Sequence, residues 1–143
     1  MIKLAEVTPK NLEAVMALEV APDQAGLVAP NAHSIAEAHY EPKSWFRAIC
    51  AGRTPVGFVM LLEDPPAHHI WRMMIGAEHQ GHGYGAAAVK QIIKRARRTP
   101  GIERVTVSYV DLPGNPAPFY RSLGFRETGE LDEGEIVMAL GLN

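Results

Sequence analysis

Cysteine is nearly missing from this chain: Cys50 stands alone among 143 residues. No intrachain disulfide can form, and no thiolate cluster can hold a metal. Cys50 falls in the apolar run Trp45-Phe46-Arg47-Ala48-Ile49-Cys50, which suits a small buried core residue better than a nucleophile. Six histidines do not make good the missing thiols. His68 and His69 are adjacent, and His79 and His82 flank a loop without an obvious carboxylate partner, so no metal is expected. Long apolar runs are absent too, which excludes a membrane-crossing helix. The start, Met1-Ile2-Lys3-Leu4-Ala5-Glu6, lacks the basic-then-apolar order of a secretory signal, and a cytoplasmic location is expected. A net charge of −2 is not that of a general nucleic-acid binder. Neither nucleic acid nor membrane is expected as a partner.

Positive charge is missing from one long stretch. Between Lys10 and Lys43 there is no Lys or Arg, while Glu13, Glu19, Asp23, Glu37 and Glu41 are all acidic. A second acidic run holds Glu127, Glu130, Asp132, Glu133 and Glu135; basic residues gather at Lys90, Lys94, Arg95, Arg97 and Arg98. There is no internal repeat and no low-complexity linker, and the length suits one domain, residues 1–143, with a single substantial core.

The pattern of what is present predicts alternating elements. Ile2 to Val7 alternates as a half-buried strand. Thr8-Pro9 opens a helix with Thr8 as N-cap, and Pro22 stops it. Ser34-Ile35-Ala36-Glu37 is a capping box that starts a second, short helix. Trp45 to Cys50 and Val56 to Leu62 form a hairpin across Gly52, and Ile70 to Ile75 is the next strand. A helix over about Tyr84 to Arg98 presents Gly85, Ala88, Val89, Ile92 and Ala96 on one face. Val105 to Val110 is β-branched and alternating. A last helix starts with Asn115 as N-cap and Pro116 at the first position, ends at the C-cap Gly124, and is followed by strands near Arg126 and over Glu135 to Leu140. The order β, α, α, β, β, β, α, β, α, β, β predicts an α/β sandwich with a mixed sheet.

Between the third of those central strands and the long helix lies Gln80-Gly81-His82-Gly83-Tyr84-Gly85-Ala86. Glycines there let successive N–H groups point into one concavity at the positive end of a helix dipole, which favours phosphate. A nucleoside triphosphate loop is excluded, because no Lys-Ser or Lys-Thr follows. Gly81-His82-Gly83-Tyr84-Gly85-Ala86 formally matches the dinucleotide fingerprint, but five residues separate Ile75 from Gly81 and Glu103 precedes the next strand instead of ending it. A glycine-rich turn without a ligand also fits the hexapeptide taken alone.

Gln80-x-x-Gly83-x-Gly85 resembles the pyrophosphate loop of the GCN5-related N-acetyltransferase (GNAT) family. Asn115-Pro116-Ala117-Pro118-Phe119-Tyr120-Arg121-Ser122-Leu123-Gly124-Phe125 resembles that family's second conserved segment, with one residue fewer between Asn115 and the aromatic pair. The resemblance covers essentially the whole chain. It implies a mixed, mostly antiparallel sheet splayed at the cofactor strand, with helices on both faces. It further implies acetyl-CoA as cosubstrate: Met73, Met74 and Ile75 along the pantetheine arm, the amides of Gln80, Gly81, His82, Gly83, Tyr84, Gly85 and Ala86 around the diphosphate, and Asn115 near the arm. A plain helix cap explains Asn115 equally well. Tyr120 takes the place of the phenol that protonates the departing thiolate, or is a packed aromatic beside Phe119. Glu63 and Glu78 are candidates for the base that the amine needs. The acid-only stretch Asn11 to Pro42 holds the two helices and the loop that in such enzymes shape the acceptor pocket; within it Asp23 to Ala38, together with Ile70 to Ile75 and Thr128-Gly129-Glu130 with Glu133-Gly134-Glu135, is similar to bacterial spermine/spermidine acetyltransferases. A small cationic amine, a polyamine or diamine, is therefore the expected acceptor, with Asp23, Glu37 and Glu63 as candidate ligands. A protein N-terminus, a lysine or an amino sugar, or coenzyme A binding without turnover, are the alternatives. The resemblance is compatible with a homodimer.

Overall fold

Alternating and β-branched runs become the strands, and the segments with a 3.6-residue apolar period become the helices that cover them. The computed structural model describes residues 1–143. Its elements are β1 (Ile2–Ala5), α1 (Leu12–Ala17), α2 (Asn31–Ala38), β2 (Ser44–Ala51), β3 (Thr54–Asp64), β4 (Ala67–Ile75), α3 (Tyr84–Arg97), β5 (Arg104–Tyr109), α4 (Ala117–Ser122), β6 (Arg126–Asp132) and β7 (Glu135–Gly141). This is the order expected from the sequence. The strands form one sheet in the order β1-β2-β3-β4-β5-β7-β6. All neighbours are antiparallel except β4 and β5, which run parallel.

That parallel pair is short. β4 and β5 are matched only from Ala67 opposite Arg104 to Ile70 opposite Val107. Beyond Ile70 the strand stays joined to β3 alone, and the register there skips a residue: Ile70 faces Leu61 and Arg72 faces Met60, so Trp71 is the extra residue of a bulge. A bulge bends its own strand and sharpens its twist. Here it falls where β4 parts from β5, and the sheet opens into a split along Trp71 to Ile75.

The helices lie on both faces. On one, α1 and α2 cover Ala48, Cys50, Phe58, Met60 and Met74, with Trp71 packed alongside. On the other, α3 buries Ala88, Val89, Ile92, Ile93 and Ala96 against Val59, Leu61, Ile70 and Val105. Each large side chain in that seam contributes about 1.5–3 kcal/mol of burial. No helix is long and apolar enough to cross a membrane. No group of three His, Cys, Asp or Glu side chains is placed to hold a metal ion.

The helix starts differ from expectation, for reasons of side-chain bonding. Asn11, not Thr8, precedes α1: its Oδ1 accepts from the Thr8 N–H at 2.8 Å and its Nδ2 donates to the Glu6 carbonyl at 3.0 Å, which makes Thr8 to Asn11 a turn. α1 ends at Ala17, and Pro22 opens a 3₁₀ turn over Pro22–Gln24 instead of stopping a helix. α2 begins at Asn31 and contains Ser34, so the proposed capping box lies inside it. The buried Asn31 side chain donates to the Val15 carbonyl at 2.9 Å, and this tie to α1 outweighs the local capping signal. Asn115 stands one residue further out than an N-cap, with its Oδ1 accepting from the Ala117 N–H at 2.9 Å.

Candidate active site

The glycine loop leaves β4 after Gly76, whose N–H donates to the Val56 carbonyl at 2.8 Å. A 3₁₀ turn over Ala77–His79 follows, and then the Gln80 side chain fixes the loop, donating to the Ile75 carbonyl and to Gln24 Oε1 at 2.9 Å each. Gly81 and Gly83 take φ of +84° and +77°, left-handed values that L side chains rarely adopt. Gly85 lies in the first turn of α3, where a Cβ would stand in ordinary contact with the Phe119 ring, 3.4 Å away.

Within α3 the first capping bond runs from the Ala87 N–H to the Gly83 carbonyl at 3.1 Å. From Gln80 to Ala86 every main-chain N–H is therefore without an acceptor in the chain. Consecutive free donors at the positive end of a fourteen-residue helix make an anion cradle.

The split supplies a second set of free backbone groups. The bond from Gly76 to Val56 puts Met74 and Phe58 at a hydrogen-bonded position of the antiparallel β3–β4 ladder. The N–H and carbonyl of Met73 and the N–H of Ile75 then face, unpaired, the edge that β5 has left, where the Ile75 carbonyl takes the Gln80 side chain.

Two cavities meet in this split. The first, about 480 Å³, is lined by Met73, Met74, Ile75, Gln80, Gly81, Gly83, Tyr84, Gly85, Ala86 and Tyr120, joined by Val20, Gln24, Leu27 and Val28 from the α1–α2 connection. The second, about 830 Å³, spreads over the α1–α2 side of β4 and β5 and includes Glu37, His69, Arg72, Ser108, Asp132, Glu133 and Glu135. Met73 and Tyr120 belong to both. Tyr120 is 4% exposed, packs edge-on against Phe119 and Phe125, and points its hydroxyl at Met73 Sδ, 3.7 Å away. Burial pushes its phenol well above the ordinary range, so it stays protonated.

Several expected site residues lie elsewhere. The His82 side chain is exposed, stacked on Tyr84, and lines neither cavity, while its N–H remains among the free donors of the loop. Asn115 spends its side chain on the Leu112 carbonyl and the Ala117 N–H, in the cap turn of α4. Asp23 is exposed on the 3₁₀ turn, away from both cavities. Glu63 is on the wrong face of the sheet for a base or an acceptor ligand: both of its oxygens pair with Arg95 of α3, at 2.9 and 3.2 Å, and His68 lies 3.3 Å away. Glu78 is exposed and outside both cavities. Glu37 does reach the second cavity, but Arg72 holds it at 2.8 Å. Sequence reasoning missed Gln24, His69 and Arg72. Nothing in the local sequence marks Gln24, whereas the period-two pattern of β4 would have put His69 on the face opposite Ile70.

The chain matches the family model described as Acetyltransferase (GNAT) family over residues 10–125 of its 143. The chain belongs to the GNAT acetyltransferase family. GNAT structures of similar fold include the PaiA N-acetyltransferase of Thermoplasma acidophilum in complex with coenzyme A (15% identity, 99% of each chain, TM-score 0.70). They also include the ribosomal-protein-S18-alanine N-acetyltransferase of Escherichia coli (16% identity, 100% of this chain and 95% of the other, TM-score 0.75). A third is aminoglycoside 6′-acetyltransferase type Ii (18% identity, 100% and 97%, TM-score 0.75). Their acceptors differ, and at such identities the likeness is one of fold. No curated protein matches the sequence. As a GNAT member the chain is an acetyltransferase, and enzymes of this family draw their acetyl group from acetyl-CoA.

Proposed function

We propose that the chain is an acetyl-CoA-dependent N-acetyltransferase of a small polycationic amine, a polyamine or diamine, acting by direct attack in a ternary complex. The observation that carries this reading is the junction of the two cavities at Met73 and Tyr120, with a free-amide cradle at the end of one and carboxylates around the other. Acetyl-CoA supplies an activated thioester. The amides of Gln80 to Ala86 hold its diphosphate, and the outward N–H and carbonyl of Met73 and the N–H of Ile75 pair with the amide-bearing arm as an added strand would. One of those N–H groups polarises the thioester carbonyl.

Tyr120, kept protonated by burial, donates to the sulfur as its bond to carbon breaks. The acceptor enters from the second cavity. Asp132, Glu133 and Glu135 give that cavity an acidic rim, which attracts a cation and leaves a second ammonium a partner away from the reacting one. An alkylamine resembling Lys, with pKa about 10.4, needs roughly 4 to 5 kcal/mol to lose its proton near pH 7, so the site must also take up that proton.

A second reading has its own observation. Arg72 lines the same cavity, and a guanidinium suits an acceptor that carries a carboxylate or peptide carbonyl beside its amine, as a protein N-terminus does. Thiol release from acetyl-CoA against a panel of amines separates the two. Turnover of spermidine, spermine or a diamine supports the first; turnover confined to peptides, lysine or amino sugars moves the assignment to the second; binding without thiol release removes both.

A further inference from the structure

With Glu63 tied to Arg95 on the far face and Glu78 outside both cavities, the proton acceptor has to be sought among the groups that line the second cavity. We infer that His69, acting through Ser108, is the base that deprotonates the acceptor amine, with Thr106 fixing the orientation of the imidazole. This rests on the acetyltransferase reading of the same site and goes beyond it in naming the base.

The three side chains form a row on the acceptor face. His69 of β4 has Nδ1 2.7 Å from Thr106 Oγ1 and Nε2 3.4 Å from Ser108 Oγ, both on β5. Their place follows from the register. Thr106 is matched to His69, whereas Ser108 is the next residue after Val107, the last to pair with β4. Ser108 therefore stands at the apex of the split, on the side from which the acceptor enters, and His69 lies just behind it. Nδ1–H donating to Thr106 leaves the Nε2 lone pair turned toward the Ser108 hydroxyl.

The other titratable groups of the cavity are less suited. Glu37 on α2 and Arg72 on β4 neutralise one another. Tyr109 of β5 turns its ring to the α3 face, where its hydroxyl donates to Glu127 at 3.3 Å, and Tyr120 of α4 already serves the sulfur. Asp132, Glu133 and Glu135 sit out on the β6–β7 turn, of which Asp132 and Glu135 attract the proton onto His69. Burial acts more strongly in the opposite sense and lowers the imidazole below its usual value, so the ring is neutral near pH 7.

The step balances. The ammonium passes one proton to Ser108 Oγ as the serine's own proton moves to His69 Nε2, and the imidazolium releases it to solvent past Asp132 and Glu135. The neutral nitrogen bonds to the thioester carbon, the carbon–sulfur bond breaks, and the second proton lost by nitrogen balances the one that Tyr120 gives the thiolate. One proton is released per acetyl group transferred.

The test is the pH dependence of kcat/KM for the amine, in wild type and in His69→Gln, with acetyl-CoA affinity measured by calorimetry. Wild type should rise through the histidine and again through the amine. His69→Gln should bind acetyl-CoA within about twofold of wild type, lose roughly tenfold to a thousandfold in kcat/KM near pH 7, lose the lower limb, and recover as pH approaches that of the free amine. Ser108→Ala should show the same loss and Ser108→Thr should restore most of it, which a packing role for His69 would not produce. An unchanged lower limb in His69→Gln, or a deficit equal at every pH, overturns the assignment. If His69→Gln fails to bind acetyl-CoA, the two Ser108 variants decide alone, and wild-type rates in Ser108→Ala overturn it. A wild type that turns over no amine refutes the acetyltransferase reading instead.

Discussion

Replacing Gly83 by alanine separates backbone strain from ligand binding, because the same strain can be imposed elsewhere as a control. Gly83 has φ +77° and Gly101 has φ +85°, and a Cβ at either position would meet nothing within 4 Å. The cost of the substitution is therefore conformational in both, about 1–2 kcal/mol for holding an L residue in the left-handed region. For a chain of 143 residues that corresponds to a fall in Tm of roughly 3–6 °C. The two positions differ in what lies beside them. Gly83 lines the first cavity within the run of free amides, while Gly101 lies beyond the far end of α3 and lines neither cavity. Hydrogen bonds to a charged acceptor contribute about 1.5–3 kcal/mol each, so a mis-aimed amide or two at Gly83 should weaken acetyl-CoA binding roughly tenfold to a hundredfold. Gly101→Ala should lower Tm by the same amount and leave affinity within about twofold. Thermal unfolding and calorimetry with acetyl-CoA measure both quantities on each variant. Equal losses of affinity in the two variants, or none in Gly83→Ala, would refute the cradle.

Tyr120→Phe should reduce kcat roughly tenfold to a thousandfold with acetyl-CoA affinity unchanged, because the hydroxyl contacts only Met73 Sδ and the ring packing is retained; stopped-flow thiol release checks it. Glu63→Gln should leave kcat and both KM values within about twofold, since its partners are Arg95 and His68 on the α3 face; a large catalytic deficit would return Glu63 to the site. Neutralising Asp132, Glu133 and Glu135 together should raise KM for spermidine several-fold and flatten its dependence on salt, while kcat at saturation falls less; steady-state titrations at low and high ionic strength read this out.

The fold was largely legible because its signals are local. Period-two alternation in Val105 to Val110, the 3.6-residue stripe of α3 and the glycines at 81, 83 and 85 each report on their own neighbourhood, and the element order follows from them. The helix starts were read less well, since Asn11 and Asn31 make bonds to residues outside their helices that outcompete the capping signals at Thr8 and Ser34. For the site, the division is similar. Residues contributing main-chain groups could be found from the loop pattern, because glycine spacing is itself a statement about backbone. Side chains that depend on register were harder: the period-two pattern of β4 puts His69 opposite Ile70, but only the pairing shows that His69 meets Thr106 and that Glu63 meets Arg95 of α3.

The bulge at Trp71 links these two levels. In an unbroken parallel pair, Met73 and Ile75 would give their outward N–H and carbonyl groups to β5, and the ladder would leave no donor for a ligand. With β4 bent away after Ile70 those bonds are missing from the fold, and all of these groups except the Ile75 carbonyl, which takes the Gln80 side chain, are free for the proposed pairing with a bound arm. It also puts Trp71 and Arg72 toward the same face, so that Trp71 can close the α1–α2 core while Arg72 reaches the second cavity and Glu37. The cost is a set of unpaired backbone groups beside a buried core, tolerable only where water or a ligand can reach them. Both cavities reach the split at Met73, so in the proposed reaction the feature that weakens the sheet would also give the acetyl donor and the amine a common meeting point.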